Sequence, residues 1–288
     1  MKLKKAVKVL LSCMLAGALF TGCGGSQPTD KPADTPQAAP VKLGMISHLN
    51  ANEKRMEEIL DNVTEKTGVN VSKYTITYYD NLKLMQMGIE SGSVDQISVY
   101  ECVAKYISDA NSKFEPVTDK GLPNLSDSFC FAVRKDDTAL KADLDRVIGE
   151  MQADGTLDNM IQMYITDVKP ENIPRVEIPM TEDGAQAIKV GITGDLPPLD
   201  LVLPDGFPAG FNTAMLAEIA KRLNRNVKMI DIDSGARATA LSSGHIDVVF
   251  WVVVPNGDNM PADIDKPEGV ELTVPYFKDD VKHLKYSK

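Results

Sequence analysis

Few residues in this chain have the type and spacing for covalent chemistry. The three histidines, His48, His245 and His283, lie far apart and show no metal-ligand spacing. No Gly-x-Ser-x-Gly elbow and no Walker-type phosphate loop occurs. Neither an enzyme, a resident metal nor a cofactor is expected. The residues with binding chemistry instead fall just past apolar, strand-like runs. Ser47, His48 and Asn50 follow Val41–Ile46, and Thr193, Asp195 and Leu199 follow Ile188–Ile192. Tyr100 and Glu101 follow Val94–Val99, Asn212 precedes a helical run, Arg237 lies on a short one, and Trp251 closes Ile246–Phe250. Ligands in open α/β sheets bind beyond the carboxyl ends of strands and at helix amino termini, so these residues are the candidates. Trp251 could stack on an aromatic, heterocyclic or cationic ligand, or could simply fill space. Arg237 could supply a cation or be solvated. His48 could donate a hydrogen bond or be an exposed loop residue. Tyr100 and Glu101 could meet an amine, unless Glu101 faces away.

The elements that must position these residues form two similar units. Met87–Asp95 reads MGIESGSVD and Thr239–Asp247 reads TALSSGHID; Val41–Met45 reads VKLGM and Ile188–Ile192 reads IKVGI. The offsets are close, 147 residues from Gly44 to Gly191 and 152 from Gly92 to Gly244. Self-similarity in the same order at nearly equal spacing marks an internal repeat. The run at Ile246–Phe250 is too continuously apolar for a half-solvated strand and suits a parallel sheet covered on both faces. Asn50 and Glu53 have capping-box spacing ahead of a helix to Thr67. Further helices are expected over Leu82–Glu90, Tyr100–Ser108, Thr138–Ala153, Leu157–Tyr164 and Thr213–Leu223. Strands are expected over Val69–Tyr79, Val94–Val99, Phe114–Val117, Phe129–Val133, Val227–Ile232, Leu272–Phe277 and Val281–Tyr286. Gly194–Pro208 reads as a turn-rich loop. Alternating strand and helix predicts α/β with two Rossmann-like lobes and mainly parallel sheets.

Composition sets the boundaries. Residues 1–22 carry Lys2, Lys4, Lys5 and Lys8 before an apolar run too short for a membrane span, which reads as a signal peptide. Phe20-Thr21-Gly22-Cys23 is similar to a bacterial lipobox, which implies cleavage before Cys23 and a lipid on its thiol. Residues 23–40, rich in Pro, Ser, Thr, Asp and Gly, cannot bury enough surface to order themselves and read as a tether. Residues 41–167 and 188–288 are the two units, and the Pro-interrupted stretch 168–187 is the linker. The formal charge is −10, from 31 Lys and Arg against 41 Asp and Glu. Removing the four lysines of residues 1–22 leaves 27 against 41, or −14. Nothing in so acidic a chain would neutralise phosphates, so nucleic acid is not expected as a partner. Cys102 and Cys130 could pair or remain free.

With these residues in hand, the chain resembles the type II periplasmic solute-binding proteins, family 3, the amino-acid-type binding subunits of ABC importers. IKVGITGDLPPLDLVLPDGFPAGFNTAMLAEIAKRL, the repeat Ser-Gly-His-Ile-Asp and TVPYF resemble that family's first lobe and outgoing hinge. VKLGMISHLN, SGSVDQIS and FCFAVRKDDTALKADLDRVIGEMQADGTLDNM resemble the second lobe and return helices. The order of the lobes is swapped, as in a circular permutation; two fused truncated lobes would give the same elements. Under permutation, Val281–Tyr286 should pair inside the lobe formed by residues 41–135. The resemblance implies an extracytoplasmic, lipid-anchored protein on the outer face of the bacterial membrane. It further implies an amino acid, or a related amine or heterocycle, delivered to an ABC permease. The hinge would fall at Thr273–Phe277 and Phe129–Val133. The family's carboxylate-binding Arg is matched by Asn259, its cleft aromatic by Leu199 and its amine-binding Asp by Tyr100. The loss of a bidentate Arg points to a pocket of different chemistry.

Overall fold

Each half of the chain begins with a short apolar strand that takes the middle place of a parallel sheet. The computed structural model describes residues 40–47, 61, 65, 74–118, 126–181, 187–253 and 266–288. In the first half, β1 (Val41–Ile46) lies between β2 (Tyr74–Tyr79) and β3 (Gln96–Tyr100), all parallel. In the second, β6 (Ile188–Ile192) lies between β10 (Val227–Asp231) and β11 (Val248–Val253), again parallel. The sequence repeat is thus a repeat of topology, and the class is mixed α/β with mainly parallel sheets.

The repeated Ser-Gly-x-aliphatic-Asp motif has the same physical cause in both halves. The helices α1 (Leu82–Glu90) and α6 (Arg237–Ser242) are each followed by a glycine in the left-handed region, Gly92 at φ 79° and Gly244 at φ 72°. A side chain there would be strained. The Asp that follows is then clamped to the start of the first strand. Asp95 donates its N–H to the Lys42 carbonyl at 2.8 Å, and its carboxylate accepts the Lys42 N–H at 2.9 Å. Asp247 repeats the arrangement with Lys189, at 2.7 and 2.9 Å. The strand glycines answer to crowding: a Cβ on Gly44 would meet Tyr79, Ile97 and Met85 at 3.1–3.2 Å, and one on Gly191 would collide with Ile232 and Ile246.

Two strands cross between the halves. β5 (Ser126–Arg134) leaves the first half and lies antiparallel to β11 of the second, with β12 (Val270–Leu272) also on it. β13 (Phe277–Tyr286) travels the other way. Its Phe277–Asp280 portion pairs with Phe129–Ser126, and Val281–Leu284 then pairs with Tyr100–Ile97 of β3. Its end pairs with β4 (Phe114–Pro116). Val281–Tyr286 thus lies in the sheet of the first half. The crossing lies a few residues beyond the expected hinge. Thr273 is already tied to β5, donating its N–H to the Phe131 carbonyl at 2.9 Å and accepting the Phe131 N–H on its hydroxyl at 3.0 Å. The segments that pass from one sheet to the other are Ser126–Phe129 and Phe277–Val281.

The remaining helices, α2 (Glu101–Ala110), α3 (Thr138–Ala153), α4 (Thr156–Ile161) and α5 (Phe211–Leu223), cover the sheets. In α3, Asp137 caps the amino terminus by accepting the Leu140 N–H at 3.2 Å. Its buried residues Leu140, Leu144, Val147, Ile148 and Met151 fall on one helical face. The expected helix Leu157–Tyr164 is α4 followed by a π-helical turn, Gln162–Thr166. Gly194–Pro208 departs from expectation. It is a small antiparallel sheet of β7 (Asp195–Leu196), β8 (Asp200–Val202) and β9 (Pro208–Ala209), closed by the turn at Gly206. Residues 1–39, Val69–Lys73 and nearly all of the expected helix from Asn50 to Thr67 lie outside the described residues. Cys102 and Cys130 are both buried. Among the described residues, no helix is long and apolar enough to cross a membrane.

Candidate ligand-binding site

The polar groups that the fold gathers lie where the two halves meet, past the ends of β6, β11 and β3. Asp200, on β8, is the centre of the second half's contribution. It is 6% exposed, and its carboxylate accepts the Thr193 N–H at 3.1 Å and the Thr193 hydroxyl at 3.3 Å. The Gly194 N–H adds a third donor, yet burial still pushes this carboxyl above its usual range. Arg237, the first residue of α6, is 9% exposed and donates to the Phe250 carbonyl at 3.4 Å. Burial pulls its guanidinium down to about 10, against the stabilising fields of Asp200 and Asp195. Asp195 is raised by burial, opposed by the Thr193 hydroxyl, by Arg237 and by the N–H of Leu82.

That last contact matters because Leu82 opens α1 in the other half, so Asp195 reaches across to a helix amino terminus. A second link joins Arg237 electrostatically to Tyr100 at the end of β3. The Tyr100 hydroxyl donates to Asp127 at 3.0 Å, and its ring packs edge-on to Phe129 with centroids 4.9 Å apart. Asp127 lies on the crossing strand β5 and is 8% exposed. Beneath this seam, Tyr276 is buried and donates to the Asn212 side-chain carbonyl at 3.4 Å. Burial raises its phenol well above the usual value.

Of the residues picked from sequence, Thr193, Asp195, Arg237 and Tyr100 come together in this cluster, and Asn212 joins its floor. Leu199 and Trp251 go elsewhere. Leu199 is 1% exposed within the main core. Trp251 is fully buried in a second cluster with Cys130, Ala132, Ala240, Leu241 and Val249. Its indole Nε1 has no hydrogen-bond partner among the described residues. A stacking platform needs an exposed face, and the indole has none in this conformation. Glu101 is exposed and 3.5 Å from Lys282. Ser47 directly follows β1, its N–H on the Tyr79 carbonyl at 2.8 Å. His48 and Asn50 lie outside the described residues. Sequence reasoning passed over Asp200, Asp127 and Tyr276. The signal for the first two was an acid inside an apolar strand, PLDLV and SDSFCF.

The two sheets and the crossing pair of strands make a two-lobed α/β fold with a polar seam between the lobes. Residues 188–256 match the family model of bacterial extracellular solute-binding proteins, family 3. The resemblance to that family is thereby shown over this segment, which spans β6 to the end of β11. No curated protein sequence matches the chain. Several solved structures are distantly similar. The GluR0 ligand-binding core from Nostoc punctiforme in complex with L-glutamate is 10% identical, over 86% of this chain and 85% of that one, with TM-score 0.38. A ligand-binding component of an ABC-type import system from Staphylococcus aureus with zinc bound is 11% identical, over 86% and 66%, with TM-score 0.43. A putative L-cystine ABC transporter from Listeria monocytogenes is 8% identical, over 86% and 83%, with TM-score 0.41.

Proposed function

We propose that this protein is the extracytoplasmic, lipid-anchored binding subunit of an ABC importer, capturing a small polar or amino-acid-like ligand by hinge closure. It is a binding protein and not an enzyme. The observation that carries the reading is the polar seam: Asp195, Asp200 and Arg237 from one half face Tyr100 and the amino end of α1 from the other. A ligand that contacts both halves favours the closed arrangement, because only there do both sets of contacts exist. The paired segments Ser126–Phe129 and Phe277–Asp280 are the hinge on this reading. Residues 1–22 are the signal peptide, Cys23 carries the lipid and residues 23–40 are the tether. The strand exchange supports lobes 41–167 and 188–288 in permuted order, with 168–187 joining the old ends.

The experiment is a thermal-shift screen of the purified mature chain against amino acids, amines, nucleobases and small peptides. At least one class should raise Tm, since a ligand bound only to the native state adds to its stability. Arg237→Gln should abolish that shift. Membrane fractionation tests the anchor: Cys23→Ser should move the protein from membrane to soluble fraction.

A second reading has one observation in its favour. Trp251 and Leu199 both point their apolar bulk into the core, as in a surface lipoprotein that keeps the fold but serves as a sensor or protein-interaction module. A complete screen without any shift would favour it.

A further inference from the structure

We infer that residues 167–181 form a strap, fixed to the second half and gripping the first, whose ion pair Lys169–Asp109 tunes how readily the lobes part. The inference rests on the hinge reading above. The strap starts from helices fastened to the second half. Arg222 of α5 donates to Asp154 at 2.8 Å and to the Thr156 hydroxyl at 3.0 Å, at the start of α4. The strap also ends on the second half. Arg175 forms a β-bridge with Ala209 of β9, pairs with Asp205 and lies 5.0 Å from the centre of the Phe207 ring. Thr181 donates its N–H to the Asn226 side-chain carbonyl at 2.7 Å and accepts from the Asn226 amide at 3.1 Å, just ahead of β10.

Between these anchorages the strap turns against the first half. Asn172 donates its N–H to the Lys169 carbonyl at 2.9 Å, and Val168, just before the turn, is buried. The Lys169 ammonium donates to Asp109 at 2.8 Å, and Lys105 holds the same carboxylate at 3.3 Å. Asp109 lies in the last turn of α2, a helix of the first half. One turn earlier on α2, burial and Glu171 of the strap raise the Tyr106 phenol. The opposite end of α2 is tied to the crossing strand, where Asp279 accepts the Cys102 N–H at 3.0 Å. From Cys102 to Asp109 is about 10 Å at 1.5 Å per residue, so rotation at the crossing would pull on the grip. The side chains of Lys169 and Asp109 are 47% and 31% exposed. A pair so open to solvent shifts an equilibrium by about two- to fivefold and is screened by salt. That is too little to lock the lobes, but enough to set the fraction that parts.

Amide hydrogen exchange by NMR, on the purified mature chain without added ligand, tests this. The Leu82 amide, which Asp195 meets from the other half, reports the parting of the lobes. The amides of β1 report opening of the whole fold and serve as the control. At low salt Lys169→Gln should speed exchange at Leu82 about two- to fivefold, with β1 and Tm unchanged. Exchanging the charges, Lys169→Glu together with Asp109→Lys, should restore the wild-type rate. Raising salt from about 0.01 to about 1 M, which shortens the screening length from ~30 to ~3 Å, should bring the wild type to the rate of Lys169→Gln. An unchanged Leu82 rate in Lys169→Gln would overturn the strap, as would a faster rate that the exchanged pair fails to restore. Equal acceleration at Leu82 and in β1 would also overturn it, by making the pair a contributor to general stability only. The thermal-shift screen judges the solute-binding reading separately: a ligand found there alongside an unresponsive Leu82 amide would leave that reading standing without the strap.

Discussion

Trp251 shows how one side chain divides the possible functions. Its type and its place at a strand end suit ligand stacking, but its backbone register decides its fate. It stands opposite Cys130 in the antiparallel pairing of β11 with β5, and its ring turns to the face covered by α6. Its neighbour Phe250 takes the other face and packs on Phe131 with centroids 5.2 Å apart. Alternation along a strand sends consecutive residues to opposite faces. Nothing in the sequence around Trp251 fixes which of the two faces it takes. Trp251→Ala should therefore act on stability, costing about 3–5 kcal/mol in urea denaturation. Trp251→Phe should cost much less, because it also removes the buried N–H that lacks a partner. If Trp251→Ala instead left the denaturation midpoint unchanged and removed ligand binding, the indole would be a contact residue after all.

At the scale of elements, the repeat was legible and its cause was not. Ser-Gly-x-aliphatic-Asp can be seen as a pattern, but the reason for its Asp lies 53 residues away at Lys42 and 58 residues away at Lys189. Such non-local bonds leave no local trace. The same holds for the crossing strands: Phe129–Val133 and Val281–Tyr286 read as extended segments, while their partners depend on topology. The helices read best, α1 and α3 to their terminal residues, because capping side chains and apolar periodicity are local signals. The small sheet β7–β9 was missed because its strands of two or three residues carry no period. The repeat makes a paired experiment possible. Asp95→Asn and Asp247→Asn should each destabilise by about 1–2 kcal/mol. Asp247 should lie at the upper end, since it also meets Arg134 at 3.3 Å and Lys189 Nζ at 3.8 Å. Chemical denaturation of the two variants reads the difference directly.

For the whole molecule, two populations of carboxylates set the response to pH. Burial raises Asp195, Asp200 and Asp279. Hydrogen bonds from partners lower Asp109, Glu115, Asp205 and Asp280, and take Asp154 down to about 2. For the raised group the folded state holds protons more tightly than the unfolded state. Stability contributed there is present at low pH and is lost as pH rises through the folded values. For the lowered group the unfolded state binds protons first, so stability present at neutral pH is lost as pH falls through the carboxylate range. Together they place the maximum of Tm on the acidic side of neutral, with a decline both above and below. The acidic net charge acts in the same direction, because partial protonation relieves self-repulsion. A Tm that rises steadily from pH 5 to pH 8 would contradict this balance.

The exchange of strands also has a consequence in time. A ribosome delivers β5 before any of its partners β11, β12 or β13 exists, and delivers β13 after the other two. The first sheet therefore waits for Phe277–Tyr286, and neither half can mature ahead of the other. Cys102 records the event. Its buried thiol lies under Asp279 of the arriving strand, and burial together with that carboxylate pushes its pKa well above the usual value. In the finished protein it should resist thiol reagents. In a chain released before Phe277 it should be labelled within minutes, so the reactivity of one cysteine dates the moment at which the two halves become a single molecule.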